Sequence, residues 1–230
     1  MSLFCFPASY LRSQRALQWW QQRQARQLAC EAEKIRDGLL QESFALRRSL
    51  EVLLNSEDST STHASQEWLK KMEKFHHSLA QLSDRLSPAH IEDSLPLAIQ
   101  CLAESRLACN SNLKIEIELP AVWRQEPLDR SFVILRVLDE LLRITLSELL
   151  TELSILVSLK QQGNISELIV QFSARDVQTL VSYWCTEDLE YLSQTFQFLT
   201  SGQCFRSKKE LTVTWYFRWI TPLDKSQIEL

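Results

Sequence analysis

EAEKIRDGLLQESFALRRSLEVLL, Glu31 to Leu54, reads as one amphipathic helix and decides the architecture. Ala32, Ile35, Leu39, Leu46, Leu50 and Leu53 return at steps of three and four, with an offset near Glu42. Gly38 is the one helix-weakening residue in the stretch, at a cost of about 1 kcal/mol relative to Ala. Upstream the chain stays rich in Gln, Arg and Ala, so a single helix is predicted from about Ser13 to Asn55, behind an apolar lead over residues 1–12. Trp19 and Trp20 sit on this helix and are read either as packing within the chain or as a contact surface.

Downstream, SEDSTSTHAS (Ser56 to Ser65) is a polar connection, and a second helix is predicted from Gln66 to Leu86. Trp68, Met72, Phe75, Leu79, Leu82 and Leu86 repeat as a heptad seam. Two helices with apolar stripes and a short loop make an antiparallel hairpin over 13–88. One hairpin cannot bury both stripes, so a homodimeric four-helix bundle is expected. Its interface is assigned to Leu28, Ile35, Leu39, Leu46 and Leu50 with Met72, Phe75, Leu79 and Leu82.

Ser87-Pro88 closes the second helix. Beyond it a second domain is predicted over 89–222, with a tail at 223–230. It reads helix (Ile91–Cys109), strand (Leu113–Leu119), helix (Asp129–Glu152, Asp129 as N-cap), strands (Ser154–Leu159 and Glu167–Phe172), helix (Thr186–Leu199) and strand (Glu210–Ile220). Gln161-Gln162-Gly163-Asn164 is a hairpin turn signal. The fold class is therefore α+β: a helical hairpin, then an α/β sandwich with a reduced, mainly antiparallel sheet.

With 230 residues, 45% of them hydrophobic, the chain can form one or two domains with real cores. A net charge of −4 gives no global basic field, so no nucleic-acid partner is expected. The six cysteines (5, 30, 101, 109, 185, 204) form no C-x-x-C pair and the four histidines do not cluster with them, which argues against zinc. No secretory signal and no apolar run of membrane-spanning length is visible, and the reading is a cytoplasmic protein without a membrane span.

Arg36-Asp37-Gly38-Leu39-Leu40-Gln41 resembles the His-Asp-x-x-x-Gln motif, often written HDGLLQ, on the first dimerisation helix of sensor histidine kinases of the nitrate-sensor and fluidity-sensor subgroup. The Asp and the Gln match; the phosphoacceptor His is replaced by Arg36, and a guanidinium is no phosphoryl-accepting nucleophile. SPAHIEDSLPLAIQCLAESRLACNSNLKIEIELP and the element order after it are similar to the same family's ATP-binding domain, so the resemblance runs over about Gln27 to Pro222.

That resemblance also implies a nucleotide site, and its parts are missing. The family's Glu-x-x-x-Asn helix, whose Asn holds magnesium, corresponds to Arg136-Val137-Leu138-Asp139-Glu140-Leu141-Leu142-Arg143-Ile144. Glu140 matches, but Ile144 stands where the Asn belongs, and an alkyl group offers a hard cation no lone pair. Asp176 matches the adenine-reading Asp, but no Gly follows it. The Gly-x-Gly loop is absent: Gly202 is the only Gly between Val181 and Gln203. The expectations are no cofactor, no metal and no autophosphorylation. Trp184, Trp215 and Trp219 are offered as fillers of the vacated nucleotide volume.

Three functions follow. The favoured one is a pseudokinase: a dimeric adaptor or regulator in two-component signalling, binding a response-regulator receiver domain or a sensor kinase. A second is a phosphatase of a phosphorylated response regulator, with Asp37 and Gln41 positioning water. A third is a structural or assembly factor on a recruited kinase fold. Arg36 is read either as a phosphate or receiver contact or as a solvated charge pairing with Asp37 or Glu33. His76 and His77, beside Phe75, are read as packing or solvated residues.

Overall fold

The computed structural model describes residues 5–55, 61–86, 90–109, 113–146, 153–174 and 186–221. Among these the elements are α1 (Cys5–Lys34), a π-helical turn (Ile35–Leu39), α2 (Leu40–Asn55), α3 (Ser61–Leu86), α4 (Leu95–Cys109), β1 (Leu113–Glu118), α5 (Leu128–Leu146), β2 (Leu153–Gln162), β3 (Ile165–Ala174), α6 (Glu187–Thr200), β4 (Gln203–Lys209) and β5 (Thr212–Ile220). The architecture is α+β: helices first, then a five-stranded sheet in the order β1-β2-β3-β5-β4. Only β1 and β2 run parallel; the other three pairings are antiparallel. Contacts divide the chain into two units, Gln21–Pro88 and Met1–Trp20 with Ala89–Leu230.

In the helical unit, Glu42 pairs with Lys74 at 3.1 Å and Ser49 receives a bond from Lys71 at 3.4 Å, so α2 and α3 run in opposite senses. Leu46 is buried on α2, and Met72, Phe75 and Leu82 are half-buried on α3. The helix does not run regularly through the motif. The Leu40 N–H reaches the Ile35 carbonyl, an i→i+5 bond, and the turn takes in Arg36, Asp37 and Gly38. A π turn adds one residue to the helix and advances the phase of everything beyond it by about 100°. The turn lies upstream of Glu42, and the apolar spacing does not register it: Ile35 and Leu39 stand four apart across it, and between Leu39 and Leu46 one apolar position is simply skipped.

In the other unit, one face of the sheet is dry. Ile155 and Val157 of β2, Leu168 and Val170 of β3, and Phe217 of β5 lie fully buried against Ile134, Val137, Leu138 and Leu141 of α5. The alternation that marks β5, with Val213, Trp215, Phe217 and Trp219 inward, is that of a strand covered by helices on one side. Phe196 of α6 meets Phe217 edge-on at 5.1 Å. The start of α1 belongs to this unit. Ala16 is buried, its carbonyl accepts from Thr195 Oγ1 at 3.2 Å, and Trp19 Nε1 donates to Asp188 at 2.8 Å while its ring lies 6.0 Å from Tyr191. For Trp19, packing within the chain is the reading that holds.

Several boundaries differ from the sequence expectation. Helix α1 begins at Cys5, within the expected lead, with Pro7 tolerated in its first turn. Helix α4 starts at Leu95 and not at Ile91, because His90 (φ +61) opens a turn whose carbonyl takes the Ser94 N–H. Asp129 is not the N-cap of α5: the helix starts at Leu128, and the Pro127 carbonyl takes the Arg130 and Ser131 N–H groups, each at 3.0 Å. Asp129 instead sits in the first turn, where the macrodipole favours an anion. The final strand is half of a hairpin. β4 precedes it, joined through Glu210 (φ +50) and Leu211. QCFRSKK gave no strand signal because β4 is an edge strand, exposed along most of its length, with the lysines that protect such edges. The β2–β3 turn is as expected: Gly163 takes φ +61 between the paired Gln162 and Ile165. Gly202 serves closeness instead, since a Cβ there would lie 2.5 Å from the Arg218 carbonyl oxygen.

Candidate functional site

The first candidate surface is the π turn and the helix after it. Arg36, Asp37 and Gln41 are all exposed, so the Asp and the Gln that match the motif both stand in solvent. Gly38 is not required by space, because a Cβ there would meet nothing within 4 Å. Ile35 and Leu39, at the ends of the turn, are half-buried. The side chains therefore offer a cation, a carboxylate and an amide on one short exposed stretch. An amide and a carboxylate there can orient water or a partner's polar groups; neither the guanidinium at the His position nor the amide can accept a phosphoryl group as imidazole does.

Further along the hairpin, a groove of about 420 Å³ lies between α2 and α3. Ala45, Val52 and Trp68 give it an apolar floor, Arg48 gives it a cation, and Lys71 and Glu67, paired at 3.1 Å, give it an ion pair. Trp68 Nε1 is shielded from solvent and finds no acceptor among the described residues. Of the residues assigned to a dimer interface, Leu28 is 56% exposed, Leu50 42% and Leu79 41%, and Phe44 beside them on α2 is 67% exposed. A single hairpin thus leaves much of both stripes open. His76 and His77 are exposed on α3.

The second candidate lies on α5. Glu140 is buried, not at the surface: Arg143 grips both its oxygens, at 3.0 Å each from Nε and Nη2. A carboxylate held this way is committed to its guanidinium. One turn on, Ile144 is half-buried and packs against the core. Beside them Asp139 pairs with Arg106 of α4. Among the described residues, no three His, Cys, Asp or Glu side chains gather into a set able to hold a metal. Asp176 and Trp184 lie outside the described residues. Trp215 and Trp219 are core residues of β5; Arg206 covers the Trp215 ring at 5.5 Å, and Trp219 Nε1 donates to Glu126 at 2.9 Å.

That last contact belongs to a cluster the sequence did not show. The Glu126 side chain is wholly buried. Oε1 accepts from Trp219 and from Thr221 Oγ1, and Arg130 approaches Oε2 at 3.4 Å. Thr221 in turn shares a hydrogen bond with Ser166 at 2.7 Å, and Arg130 also donates to the Ile220 carbonyl at 2.8 Å. The only local hint is Arg130 four residues after Glu126; the other partners come from β3 and the end of β5.

No protein-family model matches this chain, and no curated protein matches it. Among solved structures it is similar to the catalytic domain of histidine kinase ThkA, at 15% identity over 55% of this chain and 90% of that one, with a TM-score of 0.42. It is also similar to the histidine kinase AdeS of Acinetobacter baumannii, at 12% identity over 79% and 96% of the two chains (TM-score 0.40). A third is the histidine kinase domain of the blue-light-activated kinase EL346 of Erythrobacter litoralis, at 9% identity over 77% and 95% (TM-score 0.45). No helix among the described residues is long and apolar enough to cross a membrane.

Proposed function

We propose that this chain is a non-catalytic, histidine-kinase-like regulator of two-component signalling, working as a dimer through its helical hairpin and docking a receiver domain or a sensor kinase there. The observation that carries the reading is the pair of replacements at the two places where chemistry would be needed. Arg36 stands exposed where the motif has its His, and Ile144 packs against the core where a magnesium ligand would have to reach out. The docking surface retains exposed Asp37 and Gln41 and the open groove lined by Arg48, Trp68 and Lys71. Lys71 is paired with Glu67 at 3.1 Å, which leaves Arg48 beside an apolar floor to take an amphipathic partner's acidic group.

The test is direct. Incubation with γ-labelled ATP and magnesium is expected to leave the chain unlabelled, calorimetric titration with ATP is expected to give no binding heat, and native co-purification is expected to bring down a receiver-domain protein or a kinase. Self-labelling ends the proposal.

A second reading is favoured by the exposure of Asp37 and Gln41 together: dephosphorylation of a phosphorylated response regulator, with Gln41 orienting the water. Phosphorylated regulators incubated with the chain should then lose phosphate, and Gln41→Ala should abolish the loss. An unchanged rate in Gln41→Ala removes this reading and leaves the adaptor.

A further inference from the structure

Strand β4 (Gln203–Lys209) ends the sheet, and no strand among the described residues pairs with its outer side. Which of its main-chain groups face that side follows from the bonds of the inner strands. The Ala174 N–H bonds to the Leu211 carbonyl and the Thr221 N–H to the Asn164 carbonyl, both in the β3–β5 register, so the odd-numbered residues of β5 turn their main chain toward β3. Its even-numbered residues therefore bond β4, at Gln203, Phe205, Ser207 and Lys209. Cys204, Arg206 and Lys208 are left with N–H and C=O directed away from the sheet. At Cys204 that outward carbonyl takes Gln197 Nε2 at 3.2 Å, as the alternation requires. At the other end of the strand, Lys208 and Lys209 are both exposed.

An outward row of N–H and C=O groups is matched by an extended chain, whose own groups repeat at the same spacing. Charge narrows the choice of chain. β4 carries Arg206, Lys208 and Lys209 and no acid, within a protein of net charge −4. Edge to edge, two copies of β4 would set these cations against one another, and like charges on paired strands are destabilising. The lysines thus turn away a second copy, while the same charges favour a strand that brings carboxylates. The two faces of β4 differ as well. Phe205, 41% exposed and stacked on Tyr216 at 4.8 Å, offers an apolar contact on one face, and Lys208 lies on the other.

We propose that the outer edge of β4 takes an extended acidic segment of a partner protein as an added strand, bonded through the N–H and C=O of Lys208, with carboxylates beside Lys208 and Lys209. The site lies in the sheet-bearing unit and stands independently of the hairpin reading.

The test uses the full chain labelled with ¹⁵N-lysine and follows the amide signals of Lys208 and Lys209, assigned by their disappearance in Lys208→Gln and Lys209→Gln. The probe is the peptide Ac-Thr-Glu-Val-Glu-Thr-NH2, with Ac-Thr-Gln-Val-Gln-Thr-NH2 as its uncharged counterpart. The Glu peptide is expected to move the Lys208 amide downfield to saturation and to slow its exchange with water, while the Lys209 amide, turned toward β5, moves little. Fluorescence polarisation of the labelled peptides gives the affinities. The Gln peptide is expected to bind about fivefold more weakly, and Lys208→Gln to weaken the Glu peptide about threefold. Lys208→Pro removes an N–H that β5 does not use, so the edge strand is kept and the added bond is lost; it is expected to weaken binding at least about tenfold. The remaining lysine signals report whether that variant is folded. Absence of saturation at millimolar peptide, equal binding of the Gln peptide, or a folded Lys208→Pro that binds as well as Lys208→Gln each overturns the proposal. So does a Lys208 amide that shifts with protein concentration alone, since that would seat a second copy on the edge.

Discussion

At the scale of single residues, burial does more than position in the sequence to decide what a group is worth. Glu126 is an ordinary loop glutamate in VWRQEP, yet its wholly buried carboxylate receives Trp219, Thr221 and Arg130. Truncation strands these donors where water cannot replace the acceptor. Glu126→Ala should therefore lower the unfolding free energy by about 3 kcal/mol, and Glu126→Gln, which keeps an oxygen for Trp219, by less; urea denaturation with an unchanged m value checks both. Cys204 gives a prediction in pH. Burial, only partly offset by a hydrogen bond with Ser193 and by the charge of Arg206, pushes its thiol up to about 12 from an ordinary 9.0. The folded state thus holds the proton that the unfolded chain gives up. This contribution to stability is complete below about pH 9 and is lost as pH rises from there towards about 12. At pH 8 iodoacetamide should modify exposed Cys30 quickly and Cys204 only after unfolding. Neither residue could be picked out beforehand, because the partner that buries Glu126 lies 93 residues away and a cysteine's exposure leaves no periodic trace.

At the scale of elements, what was legible followed from repetition. The heptad seam of α3, the alternation in β5 and the Gly163-Asn164 turn are each patterns in which several residues agree; β5 and the turn stand within two residues of expectation, whereas α3 starts at Ser61, five residues before Gln66 and inside the expected polar connection. β4 was missed because its only apolar residues, Cys204 and Phe205, are adjacent and so fall on opposite faces, which leaves no alternation to read. The π turn was not legible, because Ile35 and Leu39 are spaced as in an ordinary helix and no residue marks the insertion. The inserted residue is testable. Because a π turn is a one-residue insertion, deleting Gly38 should let the Ile35–Leu39 turn close as regular α-helix with α1 and α2 kept in phase. The thermal midpoint should then rise or hold. Deleting Arg47, in regular helix, should instead turn the following face by about 100° and lower the midpoint. The milder Gly38→Ala finds open space and should stabilise by about 0.5–1 kcal/mol. A fall in the midpoint for both Gly38 changes would mean that the π geometry itself is needed for packing.

At the scale of the whole molecule, the two units stand in different conditions. The sheet-bearing unit satisfies its own core: the dry face of the sheet is closed by α5 and its neighbours, with Leu138, Leu141, Leu168 and Phe217 inaccessible to water. The hairpin does not. Leu28, Phe44, Leu50, Val52, Leu69 and Leu79 remain between 41% and 67% exposed on three helical segments, and exposed apolar surface of that extent marks an interaction face. A second hairpin is the partner of matching shape and matching stripe, since the seam positions on α3 recur at coiled-coil spacing along its length. The expected species in solution is therefore a dimer of the 26.8 kDa chain, and light scattering coupled to size exclusion reads its mass directly. Leu50→Glu and Leu79→Glu place a charge on the hairpin stripe and leave the sheet unit's own residues unchanged, so each should yield a monomer whose sheet unit stays folded, with the near-ultraviolet signal of Trp215 and Trp219 retained. Were the unmodified chain monomeric at micromolar concentration, or the two Glu variants still dimeric, the hairpin stripe would not be the dimer contact, and the open groove on α2 and α3 would belong to a different partner alone.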